Sequence, residues 1–264
     1  MKSNYLSLYL EQLSKSAAGA VNSVQKTLKE FIPKYLEPFN YQEHITGLLL
    51  GEVQSGKTSQ MFGVIAAAAD LGFDLFIVLT TDNNTLQTQT YERALESLDG
   101  FNICGEGDEV RFQTINMRQP TIIVLKKNTT RLKKWKDTIA SSGFAKTRPL
   151  FIVDDEADAA SLNGKINEEN EQTAINRHLE EIKKIAPSSF YLQVTATPQP
   201  LLLQTINSDW KPSFVYAFEP GPGYLGGSFF YSKPKAFTTV FTQEDELDIL
   251  VNSVETPEGL KKAI

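Results

Sequence analysis

The chain opens with apolar residues at helical spacing. Leu6, Tyr9, Leu10 and Leu13 fall on one face, and Val21, Val24, Leu28, Phe31 and Leu36 continue the pattern more loosely. Residues 1–40 are therefore predicted as a helical segment, with Pro33 kinking or ending its last helix. From residue 47 the pattern changes. Continuous apolar runs in "GLLL", "DLFIVLTT", "PTIIVLKK", "RPLFIVDDEAD" and "SFYLQVTATP" alternate with amphipathic stretches that predict helices over 57–72, 84–100, 129–143 and 168–186. Gly72 and Gly100 stop two of these helices, and Asn163-Gly164 predicts a turn. Strands that are apolar throughout are buried on both faces, so the fold class is α/β: a parallel sheet with helices on both faces, preceded by N-terminal helices. Right-handed crossovers gather the carboxyl ends of such strands on one edge, where ligands bind. Beyond residue 203 the regularity fades. "EPGPGYLGG" reads as a loop and "ETPEGLKKAI" as the first turns of a helix. The expected division is a helical segment over 1–40, an α/β lobe over 41–205, and a linker with the start of a following domain over 206–264.

One segment at that edge carries chemistry. In "LLLGEVQSGKTSQM", residues 48–61, an apolar strand runs into Gly51, Gln54, Ser55, Gly56, Lys57 and Thr58, and a helix follows. Glycines at 51 and 56 let the backbone wrap around phosphate oxygens and turn amides toward them. Lys57 reaches the β and γ phosphates as a point charge, and the Thr58 hydroxyl holds Mg²⁺ at the amino end of a helix. ATP with Mg²⁺ is the expected ligand.

The second segment is "LFIVDDEAD". A buried strand delivers Asp154, Asp155, Glu156 and Asp158 to one strand end. A phosphate-loop enzyme needs one acid there for Mg²⁺ and another to activate or orient water. Asp155 and Glu156 fit those roles in that order, and Asp154 caps or shields. An acidic turn capping the next helix would account for one or two of these acids, but not for four in five positions. His44 and His178 are isolated, and no histidine or cysteine pair stands at metal-ligand spacing.

The totals narrow the class. With 264 residues and a net charge of −6, the chain has no whole-molecule attraction to nucleic acid or an anionic membrane. A single cysteine forms no internal disulfide framework and fits a reducing compartment. The first residues lack the apolar core of a secretory signal, and no apolar run approaches the length of a membrane span. A cytoplasmic protein is expected.

Lys57 of "GEVQSGKT", then "VDDEAD", then "VTATP" follow one another in the order and at about the separations found in the first RecA-like domain of a superfamily-two helicase or translocase, which residues 47–200 resemble. The segments "GEVQSGKTSQM", "AAAADLGFDLFIVLT", "NNTLQTQTYER", "IIVLKKN", "FIVDDEADAASLN", "TATPQP" and "EPGPGYLGG" together resemble, more narrowly, the helicase-like region of the Z-one domain proteins. Those are bacterial and phage proteins associated with restriction-like or phage-defence loci. The resemblance implies a RecA-like ATPase lobe whose residues Gly56, Lys57 and Thr58 bind phosphates and Mg²⁺. It implies that Asp155 holds the metal, Glu156 activates water, and Thr195 and Thr197 couple nucleotide state to a nucleic-acid surface. Gln54 matches the narrower family inside the loop. The adenine-reading glutamine motif of such helicases has no clear counterpart, and only Phe39, Tyr41 and Gln42 stand near its place. A second RecA-like lobe, which completes the site with arginines, has no room after "TATP". The chain alone is therefore expected to bind Mg-ATP modestly and to hydrolyse it slowly.

The most basic stretch, "LKKNTTRLKKWK" at 125–136, carries Lys126, Lys127 and Arg131. In the resembled helicases this region, like that of residues 80–93, tracks a strand's phosphates, so DNA is the implied partner. The alternative for the lysines is a solvated helix face; for Trp135 the two readings are stacking on a base and anchoring the helix in the core, of which the second is favoured. Two other functions fit the same motifs. A small-molecule kinase would need an arginine-bearing lid that the sequence lacks. A nucleotide-dependent switch or scaffold would bind ATP and a protein partner without translocating.

Overall fold

A computed structural model describes residues 4–115, 118–159, 171–203 and 210–226. The predicted Asn163-Gly164 turn and the "ETPEGLKKAI" helix start lie outside the described residues. Two compact units divide the chain, Met1–Pro222 and Gly223–Ile264, and only 223–226 of the second are described.

Among the described residues the first unit contains a seven-stranded sheet in which all pairings are parallel. Its strands are β1 (His44–Leu50), β2 (Leu75–Thr80), β3 (Asn102–Cys104), β4 (Thr121–Lys126), β5 (Leu150–Asp155), β6 (Ser189–Thr195) and β7 (Phe214–Ala217), in the order β3-β4-β2-β5-β6-β1-β7. The α/β class, with helices on both faces and helices leading, is as expected. Each central strand alternates its side chains between two apolar layers. Phe76, Val78, Phe151 and Val153 face one layer, and Ile77, Leu79, Leu150 and Ile152 the other.

The first layer is closed by α1 (Tyr5–Ser16), α2 (Ala18–Phe31), α3 (Lys57–Asp70) and α4 (Asn84–Ser97). Pro33 does not stop α2 outright. The helix widens into a π turn at Ile32–Leu36, which accommodates the missing N–H. The two leading helices are not an appendage, because Tyr9, Leu13, Val24, Leu28 and Phe31 share one core with the sheet and α3. The second layer is closed by α5 (Glu109–Thr114), α6 (Thr129–Ser142) and α7 (Glu171–Lys183). Trp135 of α6 is fully buried there, as expected, and its indole N–H donates to Glu106 O at 3.2 Å. A short α8 (Gln199–Leu202) follows β6.

Two strands escape the apolar-run pattern. β3 has three residues, and β7 exposes alternate positions because it is a sheet edge. β7 lies in the stretch expected to be a linker. It pairs with β1, and Phe214 covers Gly47 so closely that a Cβ there would lie 2.1 Å from the ring.

Helices α2 and α3 meet closely at Gly63 of α3. A Cβ would stand 2.8 Å from Val24 Cγ1 and 3.3 Å from Leu28, both of which are buried. Gly63→Val is expected to lower unfolding free energy by about 1–3 kcal/mol through overpacking, read as a lower urea midpoint with an unchanged slope.

Candidate nucleotide site

The phosphate loop connects β1 to α3. Its entry is pinned where the Gly51 N–H donates to Thr195 O at 3.1 Å. Phe218 packs against Gly51, and a Cβ there would meet the ring at 2.2 Å and Ser55 Oγ at 2.9 Å, so this position needs glycine. Gln54 and Gly56 take left-handed conformations, with φ of 56° and 93°, and bend the chain around the opening. The buried Ser55 hydroxyl donates to Glu52 O at 2.7 Å, which turns it into the loop as a brace. The Lys57 ammonium makes a long contact to Glu52 O at 3.4 Å.

Gln54, Gly56, Lys57, Thr58, Asp155 and Glu156 line a single cavity of about 530 Å³. That volume lies within the ordinary range for small-molecule sites, about 300–1,000 Å³. The donor set fits Mg-ATP: a lysine and loop amides for phosphate, a hydroxyl and one carboxylate for the metal. Among the described residues no group of three or more His, Cys, Asp or Glu forms a self-sufficient metal cage. A metal held here takes its remaining ligands from phosphate and water, as Mg²⁺ commonly does.

Strand alternation sorts the acids. Asp155 continues the face of Phe151 and Val153 and therefore lies on the α3 side, at the cavity. Asp154 continues the face of Ile152 and is fully buried against the other layer. There Lys127 Nζ lies 2.8 Å from one of its oxygens, and the Tyr191 hydroxyl donates to the other at 2.7 Å. Burial, then the neighbouring Glu156 charge, pushes the Asp155 carboxyl up to about 6. Glu156 itself sits at φ 51° in the turn that follows β5. β6 lies between β1 and β5, so "TAT" emerges between the phosphate loop and the acids. Thr195 Oγ1 donates to one oxygen of Asp158 at 2.5 Å, and Thr197 Oγ1 donates to the other. Burial works against the charge of Asp158, yet these hydroxyls hold its pKa below the ordinary value.

Several residues fall elsewhere than expected. Lys127 is no surface cation: it is 1% exposed and its charge is spent on Asp154. The Lys126 ammonium lies 3.8 Å from both Asp82 and Glu106 and donates to Asn84 Oδ1 at 2.6 Å. Arg131 lies 3.4 Å from Glu106, Lys134 2.7 Å from Glu109, and Lys136 3.1 Å from Glu181. The basic stretch is thus largely matched by carboxylates that are distant in sequence. Phe39 is buried at the amino end of β1, stacked with Phe73, and the Tyr41 hydroxyl donates to Leu71 O beyond the far end of α3. That is the opposite sheet edge from the phosphate loop, so Phe39, Tyr41 and Gln42 do not stand in for an adenine-reading motif. The sequence reading did not assign α4 to this site. Gln89 and Thr90 line the same cavity, and Arg93 joins them one helical turn further along α4. The spacing of three to four residues between Arg93 and that pair was the available signal.

No protein-family model matches the chain, and no curated protein does. Among solved structures, the chain is similar to the helicase domain of Hef from Pyrococcus furiosus, at 13% identity and a TM-score of 0.44, covering 67% of this chain and 35% of that one. This chain therefore spans about a third of the length of that structure, and a likeness of this strength carries no argument about function.

The raised Asp155 pKa has a consequence for stability. In the unfolded chain this carboxyl titrates near 3.8 and in the folded chain near 6, so the folded state is favoured by its proton below 3.8 and loses that advantage as pH rises through 6. Asp155→Asn is expected to stabilise the metal-free chain at pH 8 by about 1–3 kcal/mol, and by nearly nothing at pH 3.5. Urea unfolding in EDTA at both pH values checks this. An equal gain at both would contradict it.

Proposed function

We propose that this chain is the ATP-binding and ATP-hydrolysing lobe of a helicase- or translocase-like motor. The observation that carries the reading is the pair of hydroxyls from Thr195 and Thr197 on Asp158, which ties the strand between the phosphate loop and the acids to the acidic turn itself. A rearrangement at the phosphates reaches the segment after β6 through these bonds, which is what a motor requires of its nucleotide site. Lys57, the loop amides and the amino end of α3 would hold the phosphates, and Thr58 with Asp155 would hold Mg²⁺. Bound there, Mg²⁺ would neutralise phosphate charge and act as a Lewis acid. Glu156 faces the same cavity and would take the proton of the attacking water. Val53 and Leu86 are exposed apolar residues at the cavity. A second RecA-like lobe, supplied by the rest of a longer polypeptide or by a partner, would cover them and contribute arginines. DNA as the track, and a setting in a bacterial restriction or phage-defence system, belong to the same proposal. They rest on the Z-one resemblance of the segments quoted above.

One observation favours a second reading, a nucleotide-dependent switch or scaffold that does not translocate. The cations expected to track DNA are paired within the chain. Steady-state ATP hydrolysis by the chain together with its second lobe, with and without single-stranded and duplex DNA, separates the two. The motor reading predicts slow hydrolysis that DNA stimulates once the second lobe is present. The switch reading predicts hydrolysis indifferent to DNA in either form.

Glu156→Gln is expected to leave Mg-ATP affinity within about threefold and to lower the single-turnover hydrolysis rate at least about 100-fold. Equal hydrolysis by this variant and the parent would remove Glu156 from the chemistry.

A further inference from the structure

Lys127 and Asp154 form an ion pair that water does not reach: Nζ lies 2.8 Å from Oδ1, and both side chains are 0% exposed. Such a pair is an inefficient way to fill a core. Desolvating both charges offsets most of their attraction, and apolar side chains of similar volume often stabilise as well. The ammonium, however, makes two further bonds. Its three N–H donors have three acceptors: the Asp154 carboxylate, the Asp155 carbonyl at 3.0 Å and the Glu156 carbonyl at 2.7 Å. Both carbonyls belong to the turn that carries the two acids of the nucleotide site. Lys127 follows β4 and reaches past the end of β2 to touch β5, so the contact joins strands that are not neighbours.

The turn needs holding. Glu156 has φ 51°, a conformation that a non-glycine residue adopts at a cost. The turn also has to keep the Asp155 and Glu156 carboxylates near each other against their repulsion. A cation on the two carbonyls opposes both effects, and Asp154 with Tyr191 holds that cation in place.

We infer that Lys127 is a positioning residue of the nucleotide site: from the far side of the sheet it fixes the backbone of Asp155 and Glu156 so that their carboxylates face the phosphate loop. The inference rests on the nucleotide reading for its consequence, but its structural content stands apart from nucleotide.

The test uses the full chain with Lys127→Met and Asp154→Leu combined, which removes both charges and keeps an apolar filling. Hydrogen exchange at the Ala157 amide, bonded to Val194 O at 3.1 Å, reports the turn without any ligand. In the double variant it is expected to accelerate at least about tenfold while the central amides of β5 and β6 stay protected. ATP affinity without metal should remain within about threefold of the parent, whereas the gain in affinity on adding Mg²⁺ should fall at least about tenfold. A general loss of packing would not produce that split. Unchanged Ala157 exchange in the folded double variant overturns the inference. So does loosened exchange with an unchanged Mg²⁺ gain. If the parent itself binds no ATP, the nucleotide reading fails, and Ala157 exchange alone still decides whether Lys127 holds the turn. Should the double variant fail to fold, Lys127→Gln keeps two donors without the charge. It is expected to give an intermediate acceleration, and parent-like exchange in it overturns the inference equally.

Discussion

The two-residue period of a buried parallel strand organises this molecule's chemistry. At the end of β5 two aspartates stand side by side in sequence, and the pleat sends them to opposite faces. Asp155 points toward α3 and the phosphate loop, and Asp154 into the layer beneath α6 and α7. A one-residue slip of β5 would exchange the two, sending Asp154 to the cavity face and Asp155 to the layer that holds Lys127 and Tyr191. The register of β5 against β2 and β6 is held by continuous apolar pairing, Ile77 to Ile152 and Ile152 to Tyr191 among them. Packing therefore sets which acid can meet a metal.

The same constraint explains the distribution of charge. An acid-rich strand end in a low-dielectric sheet raises the energy of each carboxylate, as the shift of Asp155 shows. Relief comes from different sources on each side. Asp154 has a buried lysine and a tyrosine hydroxyl, and Asp158 has two threonine hydroxyls. Asp155 has the Glu156 amide at 3.1 Å and an open cavity that holds Lys57. Of the three aspartates the least compensated is the one at the cavity, which is where a divalent cation would gain most.

Much of this was legible in the sequence. The apolar runs gave five of the strands, and the strand-to-helix position of "GEVQSGKT" gave the loop. That Asp155 and Asp154 lie on opposite faces of β5 was readable because parity is a property of sequence. What escaped has physical causes. β7 is a half-exposed edge strand of four residues, so it lacks the continuous apolar run that marks the centre of the sheet. Lys127 sits among five other basic residues and reads as part of a surface stretch. Its burial depends on Asp154 and Tyr191, which come from other strands and cannot be paired with it by spacing. The carboxylates Glu106, Glu109 and Glu181 that match the remaining cations are likewise contributed by separate elements. Arg93 and Gln89 reach the cavity only because α4 packs beside α3.

The cavity between Lys57 and Asp155 is proposed to take a nucleoside triphosphate with its metal. Calorimetric titration of Mg-ATP into the chain and into Lys57→Ala is the direct test. Saturable one-site binding by the parent is expected, with a loss of at least about tenfold in affinity, or about 1.4 kcal/mol, in the variant. Equal binding by both chains would place the nucleotide elsewhere, and no binding by the parent would contradict the claim for this chain.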